Sequence, residues 1–271
     1  MRYRLTDQGA AAKAMKFLRT VVVFDRGSLI DSDQWAKMHE TYVTALRGVV
    51  HPPGTDRFVI RKKARKLNSS GEASSQWVRN GVVPIKNQFL ANLNKAGWQS
   101  ERPVGLARGS AALRKAQDKA NVLVKEYPGK RDIRVDDEDW AEVFHENVGD
   151  FDFFMELDSV MRCVIEWETG NISSSHRSMN KLCLVLLAGL IDIGVVILPS
   201  RLLYAHLTDR IGNWMELSPY LPLWHHIGQG MERGLLAVTV VEHDELTDDA
   251  SIPYIPQGSD GRSAEGATKL I

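Results

Sequence analysis

Apolar residues recur at helical spacing over residues 33–46, where Trp35, Met38, Tyr42, Val43 and Leu46 fall near one face. The pattern predicts an amphipathic helix with Asp31 or Asp33 as its cap. Pro52, Pro53 and Gly54 follow it, and the run RFVI at 57–60 reads as a short strand. Beyond it lie Arg61, Lys62, Lys63, Arg65 and Lys66 and then NSSGEASS, whose small polar residues build no core and predict a flexible loop with a cationic base. A turn and a helix with Phe89, Leu90 and Leu93 on its apolar side come next, and a further helix is predicted over 110–127, stopped by Pro128-Gly129. The pattern then changes. VMRCVIEW (160–167) and IDIGVVIL (191–198) are short apolar runs with β-branched content, and between them Ile172, Met179, Leu182, Cys183 and Leu186 repeat as a helix would. Strand, helix, strand argues for an α/β fold with a sheet at its centre. Residues 235–241 predict another strand, and the segment from Gln257 onward reads as a mobile arm.

Composition narrows the class. At 271 residues and 44% hydrophobic, the chain can bury a substantial core and is expected to form one domain. No apolar run approaches the length of a membrane helix, and the N-terminus lacks the apolar core of a signal peptide, so a cytoplasmic location is expected. Cys163 and Cys183 lie inside apolar runs and read as small buried hydrophobes. The formal charge is +0, which excludes a uniformly basic coat protein, yet the halves differ sharply. Residues 1–131 carry 25 Lys/Arg against 10 Asp/Glu, and residues 132–271 carry 9 against 24. Such asymmetry points to contact with a polyanion on one side. The acidic run at 136–139 reads as a solvated face.

Chemistry concentrates after residue 150. Two-residue alternation puts Glu166 and Glu168 on one strand face, and side-by-side carboxylates repel unless a cation joins them. With Asp152 brought alongside, three carboxylates would make an oxygen-rich site suited to Mg²⁺ or Mn²⁺. On geometry alone an ordinary solvated strand edge is the competing reading.

The run EWETGNISSSHRSMNKL at 166–182 decides between these. It resembles the catalytic strand and following helix of the BamHI restriction endonuclease family. NGVVPIK (80–86), ERP (101–103), LTDR (207–210) and IPQGSDG (255–261) resemble further segments of that family in the same order. The likeness covers roughly residues 29–106 and 146–262. It implies a restriction-endonuclease-like fold, a central mixed β-sheet flanked by helices. It also implies a homodimeric type II restriction endonuclease that cuts double-stranded DNA at a short palindrome, with a cognate DNA methyltransferase in the same system. By the resemblance Asp152, Glu166 and the main-chain carbonyl of Trp167 hold Mg²⁺ ions, two per active site. Glu168 stands where most relatives of the wider nuclease fold carry lysine and would act as general base, with a possible metal contact of its own; Glu101 is a candidate fourth carboxylate and metal ligand.

Sequence reading follows from the same residues. Ser173 and Arg177 lie four apart on one helical face with Asn171 just ahead of the helix start. Asn pairs with adenine, Arg with guanine and Asp with cytosine N4. Asn171, Ser173, Arg177, Asp209 and Arg210 match the family's base-reading positions, which implies the target GGATCC and 5′ overhangs. Lys86 is expected near a phosphate or a base. Contact of Ser259, Asp260 and Gly261 with the minor groove is a further implication. His176 reads as a packing or phosphate-contact residue and His225-His226 as a loop pair. Residues 1–28 and 107–145 look additional to the family pattern, as an N-terminal extension and an insertion, and 257–271 as the arm. A slightly short connection to Glu166 leaves Asp150 as the alternative to Asp152, which is preferred for its place among Phe151, Phe153 and Phe154.

Overall fold

The computed structural model describes residues 4–6, 14–102, 150–159, 161–208 and 211–257, and the side chains of 4–6 and 101–102 are outside that description. Its elements run β1 (Arg4–Thr6), β2 (Lys16–Arg26), α1 (Asp33–Arg47), β3 (Val59–Arg61), β4 (Ala64–Leu67), β5 (Ala73–Val78), α2 (Val83–Lys95), β6 (Gln99–Arg102), β7 (Phe151–Leu157), β8 (Met161–Trp167), α3 (Ile172–Leu187), β9 (Ile193–Pro199), α4 (Arg201–Tyr204), α5 (Trp214–Leu217), α6 (Leu221–Gln229), β10 (Gly234–Glu242) and β11 (Glu245–Thr247). The helix expected at 110–127 and the acidic run at 136–139 lie outside the described residues.

Seven strands form one mixed sheet in the order β1-β2-β10-β9-β8-β7-β6. The pairs β8–β9 and β9–β10 are parallel, joined through α3 and through α4 to α6, while the outer pairs are antiparallel. Parallel strands need such helical crossovers, and covering both faces makes the central strands read as continuous apolar runs. All seven residues of β9 are buried. Ile193, Val195 and Ile197 belong to the core under α1 and α2, whereas Val196 and Leu198 belong to the core under α3 and α6. The α/β architecture with a central mixed sheet and flanking helices is the one expected.

Three local readings are corrected. Ser32, rather than Asp31 or Asp33, caps α1, its hydroxyl accepting from the Trp35 amide at 3.2 Å; the extended backbone at Ser32 aims the short side chain at that orphan donor. The stretch NSSGEASS is in part strand, because Ala73–Val78 pairs antiparallel with Ala64–Leu67 and leaves only a tight turn between them. His225 and His226 sit on α6, not in a loop, and His225 Nδ1 lies 2.7 Å from the Val23 carbonyl. Residues 16–26, within the segment expected as an extension, form an eleven-residue strand beside β10. Cys163 and Cys183 are free and buried, as expected.

Helix α2 carries one part of the site into place. Phe89, fully buried, meets the rings of Phe153 and Trp167, each at 5.0 Å between centroids. Aromatic contacts of this kind add about 0.5–1.5 kcal/mol to simple burial. They pin α2 over the ends of β7 and β8, and Lys86 lies one turn before Phe89 on the same helix face.

Candidate active site

The C-terminal end of β8 is where the carboxylates meet. Antiparallel pairing sets Phe153 opposite Ile165, so one step further along the ladder Asp152 faces Glu166. Asp152 Oδ2 accepts from the Trp167 amide at 2.8 Å, which seats its carboxylate on the peptide between Glu166 and Trp167. Its other oxygen lies 2.5 Å from Lys86 Nζ. Asp150, the alternative, is exposed, and its main-chain carbonyl accepts from Lys181 Nζ at 2.6 Å.

Glu166 and Glu168 are 7% and 4% exposed, so neither belongs to a solvated strand edge. Burying carboxylates is costly unless they are paired or bind a cation. Glu166 Oε1 lies 2.7 Å from Lys181 Nζ on α3, but without the alignment of a hydrogen bond. The Lys181 ammonium is meanwhile drawn to the Asp150 carbonyl and to the Phe151 ring, 4.0 Å from its centroid. Burial, and then the neighbouring Asp152 charge, push the Glu166 carboxyl up to about 7, with Lys181 and Lys86 opposing.

Glu168 lies just past β8. Its Oε1 accepts from the Gly170 amide at 2.7 Å, and a long contact of 3.4 Å joins Oε2 to the Ser178 hydroxyl. Burial raises its pKa. A Cβ at Gly170 would stand 2.4 Å from Ser174 Oγ and 3.1 Å from Glu168 Oε1. The turn that delivers Glu168 therefore requires glycine.

Helix α3 begins directly after this turn. Asn171 is its N-cap, with its side-chain oxygen accepting from the Ser174 amide at 3.1 Å. Asn171, Ser173 and Arg177 are all exposed, on the helix end that starts four residues after β8. The carboxylates and the exposed polar face are thus two sides of one strand–turn–helix unit. His176 packs edge-on against Tyr220 at 4.4 Å and lies 5.4 Å from Trp224, which is the packing role expected of it.

Lys86, expected near a phosphate or a base, stands against the Asp152 carboxylate. Sequence reasoning missed Lys181 altogether; its position four residues after Arg177 on the helix leaving β8 was the available signal. The side chain of Glu101 and all of Asp209, Arg210, Ser259, Asp260 and Gly261 lie outside the described residues. Among the described residues no three carboxylate, histidine or cysteine groups stand close enough to hold a metal as drawn. The donor set nevertheless fits a hard cation. It consists of oxygens alone, Glu166 Oε1 is buried without a hydrogen bond, and lysine ammoniums supply the charge beside Asp152 and Glu166.

A family model described as "Restriction endonuclease BamHI" matches residues 15–262. The chain belongs to the BamHI restriction endonuclease family. Two relatives agree with it. The type II restriction enzyme OkrAI of Oceanobacter kriegii is 35% identical over 219 residues, 81% of this chain and 85% of the relative. The type II restriction enzyme BamHI of Bacillus amyloliquefaciens is 32% identical over 191 residues, covering 70% and 71%. The family match begins within the segment expected as an extension. Family membership makes the chain one of the site-specific deoxyribonucleases, enzymes that act on DNA and generally use divalent metals. Among the described residues no helix is long and apolar enough to cross a membrane.

Proposed function

We propose that this family member cleaves both strands of GGATCC in double-stranded DNA, leaving 5′ overhangs, as a homodimer in the cytoplasm. A methyltransferase of the same specificity would protect the host without binding this chain. The carrying observation is the Asp152 carboxylate on the Trp167 amide, between buried Glu166 and Glu168, at the foot of the exposed Asn171–Ser173–Arg177 face.

Asp152, Glu166 and the Trp167 carbonyl would hold Mg²⁺, or Mn²⁺ in its place, two ions per site, with Glu168 and Glu101 as further ligands. Bound there, the cations would polarise the phosphoryl group and acidify the attacking water. Glu168, its carboxyl raised by burial, is the group suited to take that water's proton. Lys86 and Lys181 neutralise part of the carboxylate charge when the site is empty and would turn to phosphate once it is filled. Arg177, Arg210 and Asp209 would read the G·C pairs, and Asn171 and Ser173 the inner A·T pairs. The Asn171 oxygen serves the helix cap, which leaves its amide hydrogens for a base. Ser259, Asp260 and Gly261 would meet the minor groove.

The test is digestion of a plasmid carrying a single GGATCC site in the presence of Mg²⁺, followed by sequencing of the ends. Linear product with the same 5′ overhang at both ends is expected. Persistence of the closed circle would refute cleavage, and mixed ends would refute the strict target.

The dimer has its own support. Leu223 and Ile227 are 56% and 36% exposed one turn apart on α6, and Tyr220, 48% exposed just before the helix with its ring packed on His176, continues this apolar stripe. In a twofold dimer each buried side chain counts twice, at about 1.5–3 kcal/mol apiece. Leu223→Glu with Ile227→Glu is expected to shift sedimentation from dimer to monomer and to abolish double-strand cutting. An unchanged sedimentation coefficient would move the interface elsewhere.

A further inference from the structure

The β4–β5 hairpin has no role in the site described above, and its composition is unusual. Neither strand of it contains a buried residue, and Leu67 at its outer end is 62% exposed. Two-stranded hairpins of this kind are marginal by themselves. Its ordering comes from cations laid on an aromatic ring. Arg65 and Lys63 stand 4.1 and 5.0 Å from the centroid of the Trp77 ring, and Arg65 Nη1 donates to the Ser75 carbonyl at 2.6 Å. Lys66 lies between them and the tip, while Glu72 is the single acid within the hairpin. Lys62, just before it, is already paired with Asp248 at 2.6 Å.

The hairpin is anchored beside the base-reading region. The Lys63 amide donates to His206 Nδ1 at 3.1 Å. Asn80, fully buried at the end of the hairpin, bonds through its side chain to the Arg61 and His206 carbonyls and to the Ile255 amide, and its own carbonyl accepts from the Thr208 amide. A Cβ at Gly81 would fall 2.0 Å from the Pro256 carbonyl oxygen, so these segments are in direct contact. One buried asparagine therefore ties the hairpin both to the residues leading into Asp209-Arg210 and to those leading into Ser259.

We propose that the β4–β5 hairpin grips the phosphate backbone of the substrate duplex outside the recognition hexamer, with Lys63, Arg65 and Lys66 as the contacting cations. The inference rests on the DNA-cleaving reading above. The four residues of β4 span about 13 Å at ~3.3 Å per residue. Phosphates recur every ~3.4 Å along a strand, so a reach of roughly four nucleotides is available. Holding two cations on Trp77 lowers the entropy lost when they meet phosphate. Charged residues also keep exposed strands from pairing with other chains, a role that would leave DNA binding untouched.

Affinity for a 12-base-pair and a 30-base-pair duplex, each centred on GGATCC, would be measured with Ca²⁺ across a salt series. The wild type is expected to favour the longer duplex. The triple substitution Lys63→Gln, Arg65→Gln, Lys66→Gln is expected to remove that preference, lowering the salt slope on the longer duplex by about 5.4, since a homodimer loses three phosphate contacts from each protomer. Lys63→Arg with Arg65→Lys, which keeps both charges, is expected to retain the slope and also reports on folding. Tight binding of both duplexes with no length preference, or an unchanged slope in the triple variant, overturns the hairpin's role and leaves the endonuclease reading intact. No binding at either length overturns both.

Discussion

Glu166→Gln is expected to slow plasmid cleavage by about 10³-fold or more, since loss of a metal-holding carboxylate removes several kcal/mol of transition-state stabilisation. The amide keeps the shape of the side chain and an oxygen that can accept from Lys181, so the fold should survive. The same substitution carries a stability signature of opposite direction. The Glu166 carboxyl is raised from 4.5 to about 7 in the folded chain, so the folded state holds its proton where the unfolded state has released it. Below pH 4.5 both states are protonated and the group costs nothing. As pH rises through 4.5 to 7 stability falls, and above 7 the whole penalty, on the order of 3 kcal/mol, is present. Thermal unfolding of the metal-free wild type should therefore show a loss between pH 5 and 8 that Glu166→Gln flattens. Mg²⁺ should restore stability at pH 8 in the wild type and do little in the variant. Cleavage within tenfold of wild type, or a pH profile unaffected by the substitution, would remove Glu166 from the centre of the site.

Arg177→Gln is expected to weaken binding to the cognate duplex by about 10²–10⁴-fold. A bidentate arginine–guanine pair discriminates by about 1–3 kcal/mol, and a homodimer makes the contact twice. Arg177 is exposed, one turn along α3 from Ser173, so unfolding should be nearly unchanged. Affinity for a duplex lacking GGATCC should hardly alter, because phosphate contacts carry that binding. Comparing the two duplexes in Ca²⁺ by fluorescence anisotropy separates the effects. An equal loss on both would make Arg177 a phosphate contact, and no loss on either would remove it from the interface.

How much was legible beforehand differs between strand and loop. The helix at 172–187 and the strands around it were readable because apolar periodicity is local and every residue of β9 and β10 is buried. The β4–β5 hairpin was read as a loop because its strands bury nothing and so carry no alternation. Strand β2 went unread, although its VVVF run is as apolar as β10. The carboxylates were found through a motif, yet their burial was not foreseen, since Glu-x-Glu on a solvated edge has the same spelling.

The sequence by itself determined the family, the α/β class and the list of acidic and polar residues proposed for the chemistry, because those depend on residue identity and local spacing. Only the tertiary structure decided that Lys86 from α2 and Lys181 from α3 stand against Asp152 and Glu166. It likewise decided that Asn80 joins three distant segments under the hairpin. Such pairings are made between elements up to 175 residues apart, where packing, not spacing along the chain, chooses the partner. The charge division between the halves follows the same logic. Basic side chains from the first half meet acidic ones from the second, Lys86 with Asp152 and Lys62 with Asp248, once the sheet has closed over its two cores.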